Sequence, residues 1–222
     1  CRSRVLLERR PRGSREMTRH QRYGGMSMVD EKMDGFSKLV QACRSYRRFD
    51  EAAGMPREVL IDLVDIARQT ASGANRMPLR FRVVCAEQER AAVFVHLKWA
   101  GALKDWDGPV PGERPAGYIV ICDAGGGATT AVDEGIAAQT IVLAAASAGY
   151  GACMLHAFNK AEVARALGLA QDVAPLMVIA LGKPGEAVVL EDMAAGAAST
   201  DYWRDEKGVH HVPKRALDQV LL

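Results

Sequence analysis

No stretch of the 222-residue chain approaches 18 consecutive apolar residues, so no membrane-spanning helix is predicted. Cysteine is scarce and scattered. Cys1, Cys43, Cys85, Cys122 and Cys153 form no C-x-x-C pair and are odd in number, which excludes a disulfide framework or a zinc-finger spacing and suits a reducing, cytoplasmic setting. There are no internal repeats, so solenoid and propeller architectures drop out. No G-x-S-x-G occurs. "DAGGGATT" (123–130) fails the dinucleotide fingerprint, because Thr130 stands at the third glycine position and no acid follows about 20 residues on. Gly182-Lys183-Pro184 lacks the frame of a phosphate-binding P-loop.

What is present is an ordinary globular composition, 49% apolar and 25% charged, long enough to bury one substantial core. The formal charge of +2 is unevenly placed. Residues 1–22 carry eight arginines against Glu8 and Glu16, which leaves 21 basic and 25 acidic residues in the rest. Only "VLL" interrupts this leader, too short for a signal-peptide core. Residues 1–28 are read as a disordered or non-native extension, with the start of the domain near Met26 or Met28 and the domain at 29–222. A nucleic-acid arm is the competing reading of the leader. No aromatic is interleaved before Tyr23, and nucleic acid is not an expected partner.

Periodicity predicts a helix from about Asp34 to Cys43 with Phe36, Leu39, Val40 and Cys43 on one face. A second helix is predicted over 54–71 with Val59, Leu60, Leu63, Ile66 and Ala67 as its apolar stripe. "LRFRVVCA" (79–86) alternates as a strand with Phe81, Val83 and Cys85 on one face. Residues 87–104 read as a helix and 105–117 as a loop. "YIVICD" (118–123) is apolar throughout, as a strand buried on both faces requires. The segment 132–151 reads as a helix apolar nearly all round from Ile136 to Ala148. A short strand (152–158), a helix (159–169) and a buried strand (174–182) follow. The tail 183–222 reads as long and mixed, able to pack on a partner subunit. Strands alternating with helices argue for three layers around a mixed sheet. His210 and His211 are read as surface or subunit-contact residues, and Cys153 and His156 as core and lining.

"CRSYRRFD" (43–50) gathers Arg44, Arg47 and Arg48 around Ser45 and Tyr46 just past a helix. Arginine offers phosphate a planar fork of donors, which a hydroxyl and backbone N–H groups complete. A solvated helix end is the bland alternative. About 25 residues on, "SGANRMP" (72–78) presents Asn75, whose amide both donates and accepts and suits the edge of a flat heterocycle. Together they can span a flavin mononucleotide from phosphate to ring.

With "DEGIAAQTIVLAAASAGYGACMLHAF" (133–158) and "PLMVIALGKPGE" (175–186), these segments occur in an order that resembles the nitroreductase family, over roughly residues 36–222. The resemblance implies an α+β, three-layer nitroreductase-like fold: a mixed central sheet flanked by helices, in an intertwined homodimer with FMN at its interface. Helix 134–148 would form the dimer core. It implies that Arg44, Ser45 and Arg47, with Arg48, hold the phosphate and ribityl end. Asn75 and Met77 would lie by the ring, the His156–Ala157 backbone on its N5 side, and Lys214 and Arg215 over the phosphate. The implied activity is transfer of hydride from NADH or NADPH through FMN to nitroaromatic, quinone or similar flat acceptors, by a ping-pong scheme with no catalytic side chain and no metal. A flavin-binding sensor or store without turnover is the alternative. Three departures stand out. Cys43 replaces a basic residue, Met77 replaces a common Gln, and His156 replaces an acid found in some branches. The short region 100–117 leaves little room for a lid.

Overall fold

Residues 28–194, 196–197 and 199–222 are described by a computed structural model; the leader expectation over residues 1–27 lies outside them. The chain divides into units 1–37 and 38–222. Of the first, residues 28–37 are described, and they are helical as the start of α1 (Met28–Ala42).

The central sheet of the second unit has five strands. β3 (Gly117–Asp123) and β5 (Ala174–Pro184) pair antiparallel at the centre, with Ile119 opposite Ile179 and a register shift between Ile121 and Cys122. β2 (Leu79–Val84) flanks β3, while β4 (Gly151–Leu155) and the two-residue β1 (Phe49–Asp50) pair with β5, all antiparallel. The parallel element of this sheet is a single bridge, Ser45 to Ala152. The apolar runs explain the central strands. Both faces of β3 are buried from Gly117 to Cys122, so alternation is absent there and each of those positions is hydrophobic or small.

Alternate residues of β3 face two cores. Ile119 and Ile121 pack with Leu60, Leu63, Ala138 and Ile141 from α2 (Arg57–Ala67) and α4 (Thr130–Ser147). Tyr118, Val120 and Cys122 pack with Val93 of α3 (Glu87–Phe94) and Val163 of α5 (Lys160–Ala166). Helices therefore cover both faces, giving the three layers expected. Phe81, Val83 and Cys85 share the first core, as the alternation predicts. In α2 the stripe is narrower than predicted, since Ile66 is 46% exposed.

Three segments differ from expectation. The helix predicted over 87–104 ends at Phe94. Beyond it Lys98 N donates to Ala157 O at 2.8 Å and Leu97 bridges to Phe158, so the backbone turns to meet the chain after β4 and leaves the helical ladder. Helix α4 is not buried all round. Ala137, Ala138, Ile141 and Ala145 face the core, but Val132 is 62% and Ile136 36% exposed. The tail carries its own sheet: β6 (Val188–Asp192) pairs parallel with β8 (His210–Lys214), which pairs antiparallel with β7 (Trp203–Arg204).

Candidate functional site

Past α1 the chain extends along β4. Ser45 bridges Ala152, and Tyr46 N donates to Ala152 O at 3.0 Å. Tyr46 packs so closely on this strand that a Cβ on Gly151 would lie 2.8 Å from its ring. The arginines alternate from here. Arg44 Nη2 donates to Val40 O at 2.6 Å, and its Nε is buried without a partner. Ser45 is exposed. Arg47 turns to the tail: its guanidinium lies 4.4 Å from the Tyr202 ring centroid, with Nη1 3.2 Å from His210 Nε2. Arg48 pairs with Glu113 at 3.3 Å and lies over Trp106. Arg48 Nε is likewise buried without a hydrogen bond but has the Glu113 carboxylate beside it, whereas Arg44 Nε has no carboxylate paired with it.

A residue the sequence reading did not assign organises this stretch. Glu186, whose side chain is 1% exposed, accepts hydrogen bonds from Arg47 N and Arg48 N and pairs with Arg204 at 2.8 Å. Its position at the end of "GKPGE", just after a buried strand, was the available signal. Gly185 before it admits no side chain, because a Cβ would stand 2.7 Å from the Phe49 backbone.

His210 is fully buried, not a surface residue as expected. Burial and then the Arg47 guanidinium push its imidazole down to about 4, so it is neutral. With Nε2 accepting from Arg47, its Nδ1–H is left unpartnered. Its neighbour His211 points the other way along the strand, stacks on Trp203 at 4.0 Å, and meets Glu191 and Asp205. The hydrogen bond to the Glu191 carboxylate raises its pKa. Lys214 and Arg215 are exposed and make no side-chain hydrogen bond or ion pair with the arginine stretch.

The 72–77 loop is held from the first turn of α4. Asp133, 3% exposed, accepts from Ser72 Oγ at 2.7 Å and Gly73 N at 2.9 Å. The Ser72 hydroxyl and then the Gly73 N–H hold its carboxyl below the ordinary range. Ser72 Oγ in turn accepts from Met77 N at 2.9 Å. The loop presents Asn75 and Met77 exposed, both at positive φ. Sequence reading missed Asp133 because its role depends on a contact 60 residues away; its place in the first turn of a long helix was the one hint.

β4 ends at Leu155, and His156 and Ala157 follow, exposed. His156 Nε2 lies 3.7 Å from Oε1 of Glu134, a buried carboxylate oxygen with no hydrogen-bond partner. Adjacent acids at the start of α4 thus face two segments, the Asn75 loop and the end of β4. Cys153, buried in β4 with its thiol pushed up to about 11, is a core residue as expected.

The family model described as the nitroreductase family matches residues 40–183. No curated protein matches the sequence. Among solved structures, a nitroreductase family protein from Clostridium novyi is 22% identical, with 67% of this chain and 86% of that chain covered and a TM-score of 0.56. NADPH:FMN oxidoreductase from Vibrio harveyi, complexed with NAD+, is 23% identical over 68% of this chain and 69% of that one, at 0.54. A protein from Exiguobacterium sibiricum solved in complex with FMN is 18% identical over 74% and 91%, at 0.57. At these identities the likeness is one of fold.

Proposed function

Since the chain belongs to the nitroreductase family, we propose that it is an FMN-dependent NAD(P)H oxidoreductase acting on nitroaromatics, quinones or similar flat acceptors. The observation that carries this reading is the buried, unpartnered Nε of Arg44 beside the exposed Ser45. A buried cationic donor without a partner is costly, and a phosphate supplies what it lacks. The residues present therefore fit the cofactor at its anionic end.

The chain just past the same strand carries the other end. Ser45 is bridged to Ala152, and His156 lies four residues further along, a separation of roughly 13 Å in extended chain. An anion at one end and a flat ring at the other match that layout. Arg44 and Ser45 would hold the phosphate. Asn75 would direct its amide to the ring edge, where it can donate and accept at once. The backbone at His156 and Ala157 would lie along the ring. Arg47 and Arg48 act one step back: by engaging Glu186, Glu113, His210 and Tyr202 they fix the stretch that presents Arg44. Lys214 and Arg215 are assigned to the phosphate by resemblance alone. When bound, FMN supplies the hydride chemistry between reduced nicotinamide and acceptor. The chain's part is to bind, orient and leave the ring face accessible, for which Met77 at 56% exposure is placed.

We assign a homodimer from the uncovered apolar face of α4, with Val132 and Ile136 at its centre, and from Ile61 and Ile66 on α2. Among the described residues no helix is long and apolar enough to cross a membrane, and a cytoplasmic setting is part of the proposal.

The test is a fluorescence titration with FMN. Wild-type protein is expected to quench the flavin with saturation, and Arg44→Ala to weaken binding about tenfold or more, the size of one charge-assisted hydrogen bond. Equal affinity in Arg44→Ala would remove the phosphate assignment.

A further inference from the structure

Three residues of the 72–77 loop lie in the left-handed region without being glycine: Ala74 at φ 51°, Asn75 at 54° and Met77 at 49°. Such conformations are disfavoured for L-residues and persist where surroundings enforce them. Here the core does not enforce them, because Ala74, Asn75, Arg76 and Met77 are all exposed. The enforcement comes through one buried carboxylate. Asp133 takes the Ser72 hydroxyl and the Gly73 N–H on its two oxygens, and Ser72 passes the constraint to Met77 N through the same hydroxyl. Two turns inside the loop, Asn75 N to Ser72 O at 2.9 Å and Arg76 N to Gly73 O at 3.2 Å, close on the residues Asp133 holds. The approach is tight. A Cβ on Gly73 would stand 2.5 Å from Thr129 Oγ1 at the start of the same helix. No described basic side chain pairs with Asp133; its charge is met by these donors and by the helix N-terminus.

We propose that Asp133 is a positioning residue: it holds Asn75 in the left-handed conformation that presents its amide to the flavin ring. The assignment rests on the FMN reading above. Strain kept at an exposed loop by a buried charge serves presentation of the loop, since it buries no apolar surface in return. Glu134, the next residue, faces His156 at 3.7 Å, so one helical turn fixes the relative placement of both segments expected at the ring. Asp133 itself does not touch the cofactor.

The experiment compares full-length wild type, Asp133→Asn, Ser72→Ala and Arg44→Ala. Asp133→Asn keeps the shape but cannot accept from both donors at once; Ser72→Ala removes the loop's side of the contact should the first variant fold poorly. Amide exchange is read without FMN, then FMN affinity by fluorescence and the visible absorption band of the bound flavin. The expected result is faster exchange at Gly73 and Met77 in both loop variants. Their FMN affinity falls about tenfold or more, and their bound-flavin band moves toward that of free FMN. Arg44→Ala, at the other end, weakens binding with the band shape kept. Wild-type exchange, affinity and band shape in both loop variants would overturn the assignment while leaving the FMN reading intact. Faster exchange with an unchanged flavin band would also overturn it, reducing Asp133 to a loop-stability residue. A wild type that binds no FMN would overturn the cofactor reading and this inference with it.

Discussion

His210 and His211 are neighbours on β8 with opposite titration behaviour. His210 is buried beside Arg47, with its folded pKa depressed to about 4 from 6.5, so the unfolded chain binds more protons between those values. Its contribution to stability is present above pH 6.5 and is lost as the pH falls toward 4. His211 is raised by Glu191, so its contribution is full below 6.5 and fades as the pH rises through its folded value. Denaturant unfolding as a function of pH is expected to show a loss of stability on acidification from 6.5 that His210→Gln flattens, and a loss as the pH rises above 6.5 that His211→Gln removes. A slope unchanged by His210→Gln would contradict the buried, neutral assignment. Neither environment was legible in the sequence, because "HH" says nothing of which ring meets Arg47 and which meets Trp203. The arginine cluster was legible as a cluster. Which partners each arginine meets was not, since Glu186 and Tyr202 reach the cluster only through the fold.

The central strands were readable because their physics is local to them. Continuous apolar runs over 118–123 and 175–182 can be buried only on both faces, and both proved to be the paired core of the sheet. Ile179 is fully buried opposite Ile119. Ile179→Ala is expected to cost about 2–5 kcal/mol of stability by denaturant unfolding, and a loss below 0.5 kcal/mol would refute its core position. Elements ended by long-range contacts were not readable. The helix from Glu87 stops at Phe94 because Leu97 and Lys98 meet Phe158 and Ala157. The tail strands are two to five residues long, and short strands with Gly, Pro and charge between them carry little pattern.

At the scale of the molecule, helix α4 joins the candidate site to the uncovered apolar face. Its first turn holds the Asn75 loop and faces His156, and its outer face exposes Val132 and Ile136. The sequence showed an all-round apolar helix. The structure shows that a single chain covers only one side of it, which is where a second copy is proposed. Val132→Lys combined with Ile136→Glu is expected to shift the protein from dimer to monomer in sedimentation, and a wild type already monomeric would contradict the dimer. The central claim, a reducible flavin held by this chain, is tested most directly by the visible absorption spectrum of the purified protein reconstituted with FMN, taken before and after anaerobic NADH or NADPH. Protein-bound flavin bands that bleach with the nicotinamide and return with a quinone are expected. A protein that takes up no FMN, or whose flavin bands survive both nicotinamides, would contradict that claim.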